Sequence, residues 1–185
     1  MKNDILKLGL ILFLITAIAA FLLGVVNEVT SPVIENQIEQ ANNQARQDIL
    51  PEADSFELID RDFGPDVEEV YEGRSGSSVV GYTIKTMPKG YGGEIEVTTG
   101  INLEGNISGV SIGVMTETPG LGAKITEQSY LNQYVGKSVD SFINVIKSGQ
   151  PSDDEIVAIS GATITSDAVT RGVNEAIRVF KESLE

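Results

Sequence analysis

The chain of 185 residues contains no cysteine and no histidine. Without cysteine there can be no disulfide, thiolate zinc site, iron–sulfur ligation or cysteine nucleophile. Without histidine the usual general base near neutral pH, the Ser-His-Asp triad and the commonest metal ligand are all missing. Basic residues are also scarce, 13 Lys and Arg against 27 Asp and Glu, for a net charge of −14. A surface of that sign repels phosphate backbones, so nucleic acid is not an expected partner. Any redox or group-transfer chemistry in such a chain is expected to come from a borrowed cofactor.

The strongest positive signal lies at the amino terminus. From Leu8 to Val26 no residue is charged, and Thr16 is the only polar side chain. Nineteen residues at the helical rise span about 28 Å, close to a bilayer core of about 30 Å. Lipid offers the backbone no hydrogen bonds, so a helix is the expected form. Ala17-Ile18-Ala19 resembles a signal-peptide processing site, but Phe21, Leu22 and Leu23 carry the apolar run past it. A retained anchor is therefore expected rather than a cleaved leader. Lys2 and Lys7 precede the span, and Glu28, Glu35 and Glu39 follow it. That bias puts the amino terminus in the cytoplasm and the carboxy-terminal domain outside the cell (inner) membrane. The first 30 residues balance in charge, so the remaining 155, with 11 basic and 25 acidic groups, carry the whole excess.

Three segments are expected: an anchor over 1–30, a juxtamembrane helix over 31–51 and a domain over 52–185. Pro32 suits a new helical start, and Ile34, Ile38, Ala41, Ala45 and Ile49 form a narrow apolar stripe. Pro51 ends that helix. The acidic tract Glu52–Glu72 reads as a packed connection. Val79, Val80, Tyr82 and Ile84 form a β-rich run, and Ile95, Val97, Thr99 and Ile101 alternate with polar residues. Asn102–Asn106 supplies a turn, and Ile107, Val110, Ile112 and Val114 resume a strand with a glycine break at Gly109. A hairpin follows from this pattern. Tyr130–Ile146 reads as partly helical through Val139, Phe142, Ile143 and Ile146. Ile156–Ile159 reads as a short strand, and Asp167–Leu184 as an amphipathic closing helix. Strands followed by helices indicate an α+β fold, a small antiparallel sheet behind a single transmembrane helix.

Three short segments are candidates for chemistry. Ser160-Gly161-Ala162-Thr163-Ile164-Thr165-Ser166-Asp167 leads into the closing helix with four hydroxyls and small residues that let a ligand approach the backbone. Free N–H groups at a helix start favour a phosphate, whereas Ser, Thr and Asp there can equally serve only as caps. Glu117-Thr118-Pro119-Gly120-Leu121-Gly122 makes a tight turn with an apolar tip, and Gly90-Tyr91-Gly92-Gly93 is a third glycine-rich loop.

Together, SGATITS at 160–166, ETPGLGA at 117–123 and KGYGGEIEV at 89–97 resemble the FMN-binding domain family. Within it they are most similar to the G subunits of Rnf electron-transport complexes, relatives of the C subunits of sodium-pumping NADH:quinone reductases. The resemblance runs from the anchor to the last helix. It implies one covalent FMN, joined through its phosphate to the hydroxyl of Thr163, the last residue of SGAT, by a separate flavin transferase. It further implies that Ser160, Gly161, Ala162 and Thr165 surround the phosphate. Glu117, Thr118 and Gly120 would line the flavin, Leu121 would pack on the ring, and Lys147 would be a further contact. Val157 stands where the attachment motif usually carries Asp. The implied role is an electron-carrying subunit, not an enzyme alone, working with other subunits of a membrane complex that links ferredoxin and NAD to ion translocation. A membrane-anchored FMN redox sensor is the alternative. The topology is open to direct test: a reporter fused after Glu185 is expected to be active only outside the cytoplasm.

Overall fold

The computed structural model describes residues 2–184. The chain divides into two compact units, Met1–Asn42 and Asn43–Glu185. The first unit is helical and belongs to α1 (Lys2–Ile49). Its apolar side chains face outward all round: Leu10, Phe13, Leu14, Phe21 and Leu22 are each more than half exposed. A helix apolar on every side belongs in lipid or a large core. The hydroxyl of Thr16 donates back to the carbonyls of Leu12 and Phe13 at 3.0 Å, leaving no polar demand on the surroundings. Pro32 lies inside α1 rather than at a new start, so no break in secondary structure marks the expected boundary at residue 31. Pro51 does end the helix, as expected.

The second unit is built on five antiparallel strands in sequential order: β1 (Ser55–Leu58), β2 (Val67–Ser75), β3 (Ser78–Thr86), β4 (Ile95–Asn102) and β5 (Ile107–Met115). The expected hairpin is β4–β5, with Gly100 opposite Gly109. The tract read as a connection holds β1 and the first half of β2. Its glutamates hide the alternation, since Glu69 points to buried cations while Val70 faces the core. Next come a 3-10 turn (Gly122–Thr126), α2 (Gln128–Leu131), β6 (Asn144–Ile146), β7 (Glu155–Val157) and α3 (Thr163–Ser183). The helix expected across Tyr130–Ile146 is corrected to one turn of α2 and a strand, β6, which pairs in parallel with β7. Gly136, at φ +80°, turns the chain between them. Ile143 is held instead by Asn174, whose amide accepts from its N–H at 2.8 Å and donates to its carbonyl at 2.9 Å.

Both faces of the sheet are covered, which is why β4 is buried along nearly its whole length. On one face α3 packs through Val169, Val173, Ala176, Ile177 and Phe180, the stripe expected from sequence. The end of α1 presses on the other. A Cβ on Gly109 would sit 2.8 Å from the Cα of Ile49, so these strands carry glycine where the helix end lands. Ser108 Oγ donates to the Ile49 carbonyl at 2.6 Å, satisfying one of the orphan acceptors of the helix terminus.

An ion network ties the same region together. Arg46 reaches Glu69 at 2.9 Å and stacks over the Tyr71 ring, and Lys85 bonds Glu69 at 3.1 Å and Glu96 at 3.2 Å. Burial pushes the Lys85 ammonium down, but the hydrogen bonds and charges of Glu69 and Glu96 outweigh it, and the net shift is upward from 10.5. Its contribution to stability is therefore complete below pH 10.5 and is lost as pH rises through the higher folded value. Lys85→Met is expected to cost about 3 kcal/mol at neutral pH by stranding Glu96, and the gap to wild type should narrow above pH 10.5 in denaturation curves. Ile177→Ala, which empties a fully buried site, should cost about 3 kcal/mol in the same measurement without pH dependence.

Candidate functional site

After β7 the chain turns at Gly161, with φ +81°, and α3 begins one turn earlier than its apolar stripe suggests. The residue at the N-cap is Ala162, which has no side chain able to cap. Hydroxyls close by are committed elsewhere. Ser166 Oγ donates to the Ala162 carbonyl at 3.1 Å and accepts from Ile159 N–H at 3.0 Å, and Thr165 Oγ1 donates to Glu117 Oε2 at 2.9 Å. The first N–H groups of α3, at Thr163, Ile164 and Thr165, therefore have no acceptor among the described residues. The start of α3 is thus not capped by its own side chains. A buried hydroxyl chain steadies the turn from behind. Tyr134 lies 2.8 Å from Thr170 Oγ1, which donates to the Ser166 carbonyl, and burial holds the Tyr134 phenol well above its ordinary pKa.

The loop after β5 is a type II turn. Pro119 and Gly120 occupy its centre, Gly120 at φ +77°, and Leu121 N–H donates to the Thr118 carbonyl at 3.2 Å. Glu117 at its root is only 7% exposed. Its Oε1 accepts from the backbone N–H groups of Tyr91 at 2.7 Å and Gly92 at 3.0 Å, while Oε2 takes the Thr165 hydroxyl. One carboxylate thus joins the β3–β4 loop, the β5 exit loop and the start of α3. Gly90 and Gly122 border it, and a Cβ at either would collide with its oxygens.

These three segments enclose a cavity of about 550 Å³ lined by Tyr91, Glu117, Thr118, Leu121, Gly122 and residues 161–165. The size suits a small-molecule cofactor. Among the expected residues, Gly161, Ala162, Thr163, Thr165, Glu117, Thr118 and Leu121 come together here. Ser160, Gly120 and Lys147 do not line it; Ser160 and Lys147 are exposed, and Gly120 shapes the turn. Tyr91, Gly122 and Ile164 join the lining without having been assigned a role from sequence. The signal for Tyr91 is an aromatic residue set among glycines. The Thr163 hydroxyl makes no hydrogen bond among the described residues and sits at the first helical position, beside the free N–H groups. The arrangement can hold a phosphate at the helix start and an apolar ring against Leu121, Ile164 and Tyr91. FMN, with one phosphate and one planar ring, fits those features.

Residues 90–178 match the model of the FMN-binding domain, and residues 1–49 match that of the RnfG N-terminal region. The chain is 44% identical to the G subunit of the Na(+)-translocating ferredoxin:NAD(+) oxidoreductase complex of Acetobacterium woodii, covering 96% of this chain and 92% of that protein. It is 31% identical to the G subunit of the proton-translocating ferredoxin:NAD(+) oxidoreductase complex of Clostridium ljungdahlii, covering 95% and 91%. In fold it resembles the crystal structure of the C subunit of the Na(+)-translocating NADH-quinone reductase from Parabacteroides distasonis. The TM-score is 0.58 at 18% identity, over 80% of this chain and 96% of that one. An uncapped helix start, the carboxylate-tied loops and identity along almost the full length converge, and the chain belongs to the G-subunit family of ion-translocating oxidoreductase complexes.

Proposed function

We propose that the chain carries one FMN, esterified through its phosphate to Thr163 Oγ1, and relays electrons within a ferredoxin:NAD oxidoreductase complex of the Rnf type. The observation that carries this reading is the open start of α3, where three N–H groups and the Thr163 hydroxyl have no hydrogen-bond partner among the described residues. Bound FMN would supply reversible electron transfer. The protein's part is placement. The helix start would stabilise the phosphate dianion, and Leu121 and Tyr91 would flank the ring. Glu117 acts on this reading as a positioning residue, because its carboxylate ties the loop of Tyr91 and Gly92 to Thr165 at the start of α3. Ser160, Thr118, Gly120 and Lys147 remain candidates for outer contacts with the ligand.

Residues 1–30 would anchor the protein in the bilayer, 31–51 would form the juxtamembrane helix, and 52–185 would hold the flavin outside the cytoplasm. The apolar, outward-facing side chains of the amino-terminal helix support the anchor. The lysines before the span support the orientation. Partners would be the other subunits of the complex and a flavin transferase. Val157 stands where the attachment motif usually carries Asp; its N–H and carbonyl are both held by the Gln133 amide, at 2.7 and 3.2 Å.

Protein co-produced with a flavin transferase is expected to gain the mass of one FMN less one water and to fluoresce in a denaturing gel. Thr163→Ala should show neither change; an adduct that persists in that variant would overturn the assignment. Glu117→Ala should leave the adduct in place but release the loops. The expected signs are lower flavin fluorescence anisotropy and a stability loss of about 3 kcal/mol, since three donors lose a charged acceptor.

A further inference from the structure

A second cavity, also of about 550 Å³, lies between α3 and the segments leading into β4 and β6, and shares no lining residue with the first. Two of its charged residues cancel. Arg178 grips both oxygens of Glu175, at 2.5 and 3.0 Å, and also bonds Glu182 and the Phe63 carbonyl. Two others do not. Arg171 donates to a single acceptor, the Lys89 carbonyl at 2.7 Å, and neither Arg171 nor Lys89 pairs with a carboxylate among the described residues. Arg171 and Lys89 thus place two cations at one end of the cavity with no carboxylate bonded to either among the described residues, where an anion can meet them.

The remaining wall is of a different character. Phe142 keeps 57% of its surface exposed at the rim, beside Pro88 and the buried Ile143. An exposed ring of this size, above an apolar floor, is a stacking platform for another planar group. Asp66 faces the cavity from the β1–β2 connection, and its side chain takes part in no ion pair among the described residues. Arg171 and Arg178 stand seven residues apart on α3, so the two ends of the cavity are separated by about 10 Å along the helix. The free cations mark one end. Asp66, close in sequence to the Phe63 carbonyl that Arg178 holds, marks the other.

We propose that this cavity binds a small phosphorylated ring compound of the mononucleotide class. Its phosphate would be held by Arg171 and Lys89, its ring would stack on Phe142, and a sugar hydroxyl would donate to Asp66. Guanidinium and ammonium groups suit phosphate, and a carboxylate suits a hydroxyl donor. The volume lies within the usual range for such ligands. Arg171 also holds the root of the β3–β4 loop, whose Tyr91 lines the first cavity, so one loop borders both sites.

The test uses full-length protein in detergent after loading with FMN, so that the first cavity is filled and AMP can report only on the second. The Lys89 and Arg171 variants lie outside the first cavity and keep this proposal separate from the covalent one. Titration calorimetry with AMP is expected to give one saturable site, at least about tenfold tighter than adenosine or inorganic phosphate alone, and weaker at high salt. Arg171→Gln and Phe142→Ser should each weaken AMP by about tenfold. Lys89→Gln, at an exposed position, serves as the variant least able to disturb folding, and should weaken AMP while leaving the melting temperature unchanged. Absence of saturable AMP binding, adenosine binding as tightly as AMP, or affinity indifferent to Lys89→Gln and Arg171→Gln would each overturn the proposal.

Discussion

The buried carboxylate of Glu117 is the point on which the candidate site turns. A charge with 7% exposure is tolerable only if its oxygens are matched by donors, and here three donors come from two other segments of the chain. Those bonds draw the β3–β4 loop and the start of α3 onto the turn after β5. The N-cap itself is Ala162, so the opening N–H groups of α3 find no side-chain acceptor among the described residues. Glu117 therefore builds the wall of the cavity beside the open start of α3. Gly90 and Gly122 follow from this, since any side chain would occupy the space of the carboxylate.

The sheet supplies the rigid base for that cluster. β4 is covered on one side by α3 and on the other by the end of α1, so the strands leading to the site are fixed from both faces. Close approach of Ile49 to Gly100 and Gly109 needs bare backbone, and Ser108 completes the contact by receiving the helix terminus. Nearby, Arg46 and Lys85 are buried cations in an acidic protein, and Glu69 and Glu96 neutralise them. Such networks add specificity of position more than net stability.

The chemistry is consistent with the composition. The chain has no thiol or imidazole, and its family works in complexes that couple redox reactions to ion transport. On the proposed reading it offers a surface for the cofactor: N–H groups and a threonine hydroxyl that have no hydrogen-bond partner among the described residues, and apolar faces at Leu121 and Ile164. Precision in such a site comes from the supporting contacts behind it, here Glu117 and the Tyr134–Thr170 hydroxyl pair, rather than from reactive side chains.

Much of this is legible in the amino-acid order. The apolar span, the β4–β5 hairpin, the amphipathic face of α3 and the three glycine-bearing motifs all depend on residues close in sequence, whose periodicity or turn chemistry is local. The strand β2 is hidden in part because Glu69 answers to Arg46 and Lys85, partners that no local window contains, while Glu57 of β1 meets Arg74 only once the two strands pair. The segment around Phe142 carries a helical spacing, yet Asn174, some thirty residues later, bonds its backbone as a strand would. Pro32 suggests a helical start that α1 does not make. Likewise the hydroxyls of 160–166 suggest caps, yet the N-cap position falls on Ala162 and the Thr165 hydroxyl turns to Glu117, 48 residues away. Local pattern thus settled the anchor, the fold class and the candidate motifs. Long-range hydrogen bonding and packing settled which hydroxyls stay free, which residues share a cavity, and which face each strand turns inward, because those outcomes rest on partners that meet only when the chain has folded.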